Sequence, residues 1–356
     1  MGELTDRTPL TPVRSAHRFD EVALLEYMQA HISGFEGPLK IQQFEGGQSN
    51  PTFLLESPSG KYVLRKQPPG ELLPSAHQVD REYRVMHGLG QVGAPVPDML
   101  SLCRDKSVIG TDFYVMGAVD GRVFSDPMLP GVDADDRHEI YLDLVRVLAT
   151  IHRVDYREIG LDGFGRPANY VARQISRWSK QYVLAKTEEI ESMERLMAWL
   201  PEQIPDEDAD EGLATVVHGD YRLGNVIVHP HEPRVVAVLD WELSTIGNPL
   251  SDLSYVCQQY HVGDESDSAI SGSIAKVPGV PSEQALIDEY CRVAGREGVE
   301  NWGFYIAYNM FRSASIIQGV YKRGLDGNAS SDSATLYADA CRLRADGAWA
   351  FVQSLL

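Results

Sequence analysis

Two carboxylates and a carboxamide stand at spacings that suit phosphoryl transfer. Asp220 and Asn225 lie within His218-Gly219-Asp220-Tyr221-Arg222-Leu223-Gly224-Asn225, and Asp240 follows fifteen residues after Asn225, in Asp240-Trp241-Glu242. Moving the γ-phosphoryl group of ATP requires a carboxylate near the acceptor hydroxyl and hard oxygen ligands that hold Mg²⁺ against the triphosphate. Asp220 fits the first task. Asn225 can offer its amide oxygen to one metal ion, and Asp240 a charged oxygen to another. The intervening sequence predicts how these two meet: residues 226–228 read as a short apolar strand, residues 229–234 hold two prolines and must turn, and residues 235–239 run back. Asp240 is then expected at a strand end, beside Asn225.

Taken singly, each aspartate suits a turn or a helix cap, where its side chain bonds local backbone. The ordered set is harder to obtain by chance. His-x-Asp-x-x-x-x-Asn is common alone, but not followed by a hairpin and Asp-Trp at the end of the returning strand.

The elements that must position these groups begin with a helix from about Asp20, a plausible N-cap, with Val22, Leu24, Leu25 and Met28 giving a partial apolar face. Strand-like pieces at 40–44, 52–56 and 62–65, separated by Gly-rich or Pro-Ser-Gly turns, predict an antiparallel meander. In the first turn, Gly46 and Gly47 let the backbone approach a ligand, while Ser49 and Asn50 add side-chain donors; a hairpin needs such residues anyway. Alternation puts Arg65 and Lys66 on opposite sides of their strand, so one of them can face a nucleotide. Arg65 is the expected one. Lys66 adjoins Gln67-Pro68-Pro69-Gly70 and reads as solvent-facing. A helix at 78–89 carries Glu82, which can orient Arg65 by an ion pair or stand as a surface glutamate.

A formal charge of −19, from 32 basic and 51 acidic residues in 356, argues against nucleic acid or an anionic membrane as the main partner. The hydrophobic share of 43% excludes a mostly disordered chain. Acidic walls could attract a polycation such as an aminoglycoside, yet the charges are spread, and residues 206–211 read as a solvated loop. Cys103, Cys257, Cys291 and Cys341 are far apart, suggesting neither a zinc site nor a disulfide framework. The first residues lack a secretory pattern, Asp6 spoils a myristoylation pattern, and no apolar run approaches a membrane span, so a cytoplasmic protein is expected. Residues 1–19 read as a loosely held arm.

The succession Gly-Gly-x-Ser-Asn, Val-Leu-Arg-Lys, Arg-Glu-Tyr, Phe-Tyr-Val-Met, Leu-Ala-Thr-Ile-His, His-Gly-Asp-Tyr-Arg-Leu-Gly-Asn and Leu-Asp-Trp-Glu resembles the aminoglycoside phosphotransferase-like kinases, the group that takes in choline kinase-type enzymes. Within it, the chain looks most like the branch related to the kinase-like domain fused to certain acyl-CoA dehydrogenases, over nearly its whole length from about residue 20. The resemblance implies an α+β, protein-kinase-like bilobed fold. Residues 20–117 would form a small antiparallel β lobe that binds nucleotide. Residues 118–356 would form a mainly helical lobe with the catalytic loop and acceptor site, and ATP would lie in the cleft between.

It also implies roles. Met116, Gly117, Ala118 and Val119 would line the adenine, His218 would hold the catalytic loop, and Asp220 would accept or orient the proton. Arg222 would contact the migrating phosphoryl group; Asp252 and His152 would be structural. An apolar strand at 113–116, then Asp120-Gly121, then a helix after Asp133 with Leu144, Val147, Leu148 and Ile151 on one face agree with this independently. The chain departs from protein kinases in having Trp241-Glu242 after Asp240 instead of Phe-Gly, no downstream Ala-Pro-Glu, and no Gly-x-Gly-x-x-Gly, which points to a small-molecule acceptor.

The acceptor is expected to be chosen by residues 168–199 and 264–356. Trp178, Tyr182, Trp199, Tyr260, Trp302, Tyr305, Tyr308 and Phe311 are mostly core, with some available to a pocket. Residues 261–281 read as a connection rather than a lid. The leading expectation is an ATP- and Mg²⁺-dependent phosphotransferase acting on a hydroxyl group, with the resemblance favouring a hydroxyacyl-CoA or related hydroxy acid. The rivals are an aminoglycoside-type antibiotic kinase and a nucleotide-binding pseudokinase that regulates a partner.

Overall fold

The computed structural model describes residues 9–45, 50–70, 77–261, 274–326 and 339–356, so Gly46, Gly47 and Ser49 lie outside the described residues. The chain divides into two compact units, one made of residues 1–131, 157–161 and 223–244, the other of 132–156, 162–222 and 245–356.

The first unit is built on six antiparallel strands: β1 (Leu10–Thr11), β2 (Lys40–Phe44), β3 (Thr52–Ser57), β4 (Gly60–Lys66), β5 (Met99–Cys103) and β6 (Phe113–Gly117), in the order β1-β2-β3-β4-β6-β5. The meander expected at 40–66 is there, each strand pairing with the next. On one face Phe53, Leu55 and Leu64 pack with Leu24 and Met28 of helix α1 (Glu21–His31). Each such side chain, fully buried, contributes about 1.5–3 kcal/mol. Asp20 caps α1, its carboxylate accepting from the Val22 and Ala23 N–H groups at 3.0 Å each. Helix α2 (Val79–Gln91) buries Val79, Glu82, Val85, Met86 and Leu89 along one stripe, so Glu82 is a core glutamate. A short helix, α3 (Lys106–Ile109), links β5 to β6.

Three expectations are corrected in this unit. Residues 9–19 are not loose: Leu10 and Thr11 pair with Phe44 and Gln43, and the buried Gln43 accepts the Arg14 N–H at 3.0 Å through Oε1. Lys66 is not solvent-facing. It alternates with Arg65 onto the face shared by Leu64 and is 2% exposed, because that face is covered rather than wet. Nor does the unit stop at residue 117. Arg122 and Val228 exchange backbone hydrogen bonds at 2.7 and 2.8 Å, and the Val238 N–H donates to Pro95 O at 2.8 Å, tying 118–131 and 223–244 to the sheet unit. Gly121 permits this approach, since a Cβ there would lie 2.4 Å from the Val228 carbonyl oxygen.

The second unit holds α4 (Ala134–His152), α5 (Tyr170–Ala185), α6 (Glu191–Trp199), α7 (Leu250–Cys257), α8 (Glu283–Ala294), α9 (Trp302–Leu325) and α10 (Ala340–Leu355). Asp133 caps α4, accepting the Asp136 N–H at 2.9 Å. Helix α9 is buried nearly all round, with Tyr305, Tyr308 and Phe311 in the core. Tyr182 is core too, whereas Trp178 is half-buried. Strand Thr215–Val217 pairs antiparallel with Thr245–Gly247.

The 206–211 stretch is a correction here. It forms tight turns in which Asp208 is buried, accepting the Val171 and Ala172 N–H groups at 2.9 and 3.1 Å. The acidic run therefore caps α5, whose own Asn169 makes no side-chain cap. Of the 261–281 connection, residues 262–273 lie outside the described residues; its end is packed, with Gly279 against the Ala134 backbone. Among the described residues no helix is long and apolar enough to cross a membrane.

Candidate active site

In the first unit the hairpin forms as its sequence predicts. Val226 pairs with Val238 and Ile227 with Ala237, and the Leu239 N–H donates to Asn225 O at 2.8 Å. Asp240 follows directly, in the left-handed region at φ 63°, ψ 55°. A conformation of that kind costs on the order of 1 kcal/mol and persists only where neighbours hold it. Trp241 does so: it is fully buried, its Nε1 donates to Val238 O at 3.0 Å, and its own carbonyl accepts Ser244 Oγ at 2.6 Å.

Arg65 joins this turn to α2. Its Nη2 donates to Asp240 Oδ1 at 2.9 Å and lies 3.6 Å from Glu242 Oε2, and its Nε lies 2.8 Å from Glu82 Oε2. The Nε–H is not aligned for a hydrogen bond, so the attraction to Glu82 is chiefly charge on charge. Glu82 accepts Asn50 Nδ2 at 2.7 Å and the Tyr114 hydroxyl at 3.0 Å. Burial pushes the Glu82 carboxyl up to about 7, against the pull of Arg65. Burial also works against the charge on Arg65, but Glu82 with Tyr114 and Asp240 outweighs it and raises that pKa. Asn50 is fully buried, its Oδ1 3.1 Å from His77 Nδ1, so its amide braces Glu82.

These groups open onto a cavity of about 590 Å³ lined by Arg65, Asn225, Asp240 and residues 116–119, all from the first unit. Val63, on the Arg65 side of β4, and Leu54, Met86 and Ile227 give it apolar walls. At the 116–119 edge the Gly117 N–H donates to Asp98 O at 2.9 Å and the Ala118 N–H to Lys61 O at 3.1 Å. The Val119 N–H and C=O make no hydrogen bond with the described residues, leaving a donor and an acceptor for a flat heterocycle.

Asp240 and Asn225 could hold a cation. Among the described residues no group of three or more His, Cys, Asp or Glu is placed to hold a metal. One carboxylate and one amide oxygen suit Mg²⁺, which keeps waters and substrate phosphates as its other ligands.

In the second unit the loop at 218–222 is pinned through its backbone. Buried Asp252 accepts the His218 N–H at 2.6 Å and the Gly219 N–H at 2.9 Å, and lies 3.5 Å from His152 Nε2. Burial alone would raise the Asp252 pKa, but His152, His218 and the Gly219 N–H hold it below the usual carboxylate value. His152 is fixed in turn by the Tyr290 hydroxyl at 2.7 Å from Nδ1. His218 Nδ1 accepts the Asp220 N–H at 3.1 Å, and the Tyr221 hydroxyl donates to Leu144 O at 2.8 Å. Arg222 Nε lies 3.4 Å from Asp220 Oδ2.

Sequence reasoning missed three residues that touch these groups: Tyr114, Tyr255 and Arg312. The Tyr255 phenol, buried and next to the Asp220 charge, is pushed up to about 12. Arg312 is 5% exposed, donates through Nη2 to Gly219 O, and stacks over the Tyr255 ring at 4.7 Å. A signal for Arg312 was present: it falls on the inward stripe of α9 with Tyr305, Tyr308 and Ser315, where a charge needs a reason.

Residues 40–285 match the model of the phosphotransferase enzyme family. Acyl-CoA dehydrogenase family member 11 of Homo sapiens is 45% identical over 340 residues, 94% of this chain but 43% of that protein, so the chain spans less than half the length of this relative. A crystal structure from Ralstonia eutropha JMP134, provisionally named an aminoglycoside phosphotransferase, superposes with a TM-score of 0.85 at 46% identity, over 95% of this chain and 99% of that one. Spectinomycin phosphotransferase, solved with ADP and spectinomycin, superposes with a TM-score of 0.61 at 13% identity over 94% of this chain and 99% of that one, a likeness of fold alone. The fold is the α+β, protein-kinase-like one that the motifs imply.

Proposed function

Because the chain belongs to the phosphotransferase enzyme family, we propose that it transfers the γ-phosphoryl group of ATP to a hydroxyl group of a small molecule, a hydroxyacyl-CoA or related hydroxy acid, with Mg²⁺. The observation that carries this reading is Arg65: a buried guanidinium anchored on Glu82, 2.9 Å from Asp240, in the cavity that residues 116–119 also line. A base seated at the Val119 edge brings its phosphates toward a cation that is already oriented and needs no reorganisation to meet them. Asn225 and Asp240 would hold Mg²⁺, which when bound neutralises charge on the phosphates.

On the acceptor side, Asp220 takes or orients the hydroxyl proton, held in place by the His218 and Gly219 backbone fixed on Asp252. Arg222, beside Asp220, is suited to the charge of the moving phosphoryl group. All of Asp220, Asn225 and Asp240 are present, which disfavours a pseudokinase. The name of the human relative favours an acyl-CoA-linked acceptor over an antibiotic. ADP release from purified protein, offered hydroxyacyl-CoAs, aminoglycosides, choline, homoserine and sugars, tests the reading. Turnover is expected with the hydroxyacyl compounds and is expected to fall by roughly 10²–10⁴-fold in Asp220→Asn. Full activity in that variant on the true acceptor would overturn the mechanism.

A further inference from the structure

The interior of the helical unit is cationic next to its catalytic loop. Arg312 on α9 and Arg344 on α10 are 5% and 8% exposed. Arg344 falls on the inward stripe of α10 with Cys341, Ala345, Ala348 and Val352, all fully buried. Helix α10 packs along α9. Neither guanidinium has a carboxylate within 4.0 Å among the described residues, and Arg344 makes no hydrogen bond with them either. Arg312 has the Gly219 carbonyl as an acceptor, and neither arginine has a nitrogen among the fully buried unpartnered polar atoms, so each is a covered stem that keeps a reachable cation.

The surroundings of the two cations suit a ligand. The Arg312 guanidinium lies 4.7 Å from the Tyr255 ring centre and 5.7 Å from that of Trp178, two aromatic faces that favour a cation, while its Nη2 donates to Gly219 O. Tyr255 is a neighbour of Arg344 as well as of Arg312, and Asp220 neighbours both Tyr255 and Arg312. Burial draws the Arg344 pKa down, as it does for a cation whose solvation has not been replaced.

We propose that Arg312 and Arg344, with Tyr255 and Trp178, form an oxyanion subsite that takes a carboxylate or phosphate group carried by the acceptor whose hydroxyl is presented to Asp220. This rests on the phosphotransferase reading and narrows it: the acceptor is an anionic alcohol, and a polycation is repelled. Forked guanidinium donors match the paired oxygens of either oxyanion.

Calorimetric titration of the full chain, loaded with a non-hydrolysable ATP analogue, tests this without turnover. The probes are short-chain hydroxy carboxylates, their hydroxy amides, and glycerol phosphates. The acids or phosphates are expected to bind on the order of tenfold or more tightly than the amides, and Arg344→Met to erase that preference while nucleotide affinity holds. Whichever of the two anions binds more tightly identifies the oxyanion. Binding of acids and phosphates no tighter than that of the amides by the unaltered protein overturns the proposal, whether or not Arg344→Met folds. A retained anion preference in a well-folded Arg344→Met protein, judged by its melting curve, also overturns it. ADP release on the same probes separates the two readings: anion-selective binding without transfer to any acceptor counts against the phosphotransferase reading and leaves the subsite standing.

Discussion

The two groups of candidate residues, one in each unit, are held by opposite means. In the sheet unit, side-chain charges face one another: Arg65 stands among Glu82, Asp240 and Glu242, and the arrangement depends on how those charges balance. In the helical unit one carboxylate, Asp252, holds backbone N–H groups, and the placement of Asp220 follows from the backbone. A charge network can re-form around an arriving polyanion, whereas a backbone clamp stays fixed. Under the proposed function the difference suits one group of residues to a triphosphate and the other to presenting one carboxylate to one hydroxyl.

The sharpest way to break this comparison is Asp252→Ala. It orphans two buried N–H groups at roughly 1–3 kcal/mol each, so thermal unfolding is expected several degrees lower and phosphoryl transfer is lost with nucleotide binding retained. A variant that stays active would show that the loop does not need its clamp.

Next in size is Arg65→Met, which leaves Glu82 buried without its cation and is expected to cost about 3–5 kcal/mol and to weaken nucleotide affinity. Adding Glu82→Gln should recover much of the stability but none of the affinity, measured by denaturant unfolding and nucleotide titration. If the double variant is no more stable than the single one, the two groups are not a coupled pair.

The pH dependences have opposite signs. Glu82 is raised from 4.5 to about 7 in the folded chain, so the folded state binds the extra proton and stability falls as pH rises through that window. Glu82→Gln should flatten that slope. Asp252 is lowered from 3.8, so its contribution is present above that value and is lost as pH falls through the folded-state value. Melting temperatures across both windows check the two signs.

The smallest expected effect is that of Asp208→Ala. It removes a buried carboxylate that also accepts two N–H groups but serves only as a helix cap. A loss of about 1 kcal/mol with activity unchanged would show that the Asp252 effect comes from its place at the loop.

Local patterns were enough wherever both partners lie close in sequence. The apolar run, the proline-bearing turn and the returning run brought Asp240 to Asn225, and strand alternation put Arg65 and Lys66 on opposite faces of β4, of which Arg65 lines the cavity. The same alternation failed for Lys66 because it says which face a residue takes, not whether that face is wet. Asp208 looked like one more charge in an acidic loop, since the α5 N–H groups it caps lie 37 and 36 residues away. Arg312 reaches a carbonyl 93 residues earlier in the chain, and no spacing rule spans that distance.

By itself, the sequence determined the kind of chemistry, the hairpin that carries Asn225 and Asp240, the strand that carries Arg65, and the helix that carries Glu82. Side-chain type and a period of two or 3.6 residues suffice for these. Only the tertiary structure decided what each charge meets: Glu82 braced by Asn50 and Tyr114, the loop clamped by Asp252, and two arginines buried without carboxylate partners among the described residues. The reason is physical. The energy of a buried charge depends on which distant groups replace its lost water, and folding alone brings those groups together.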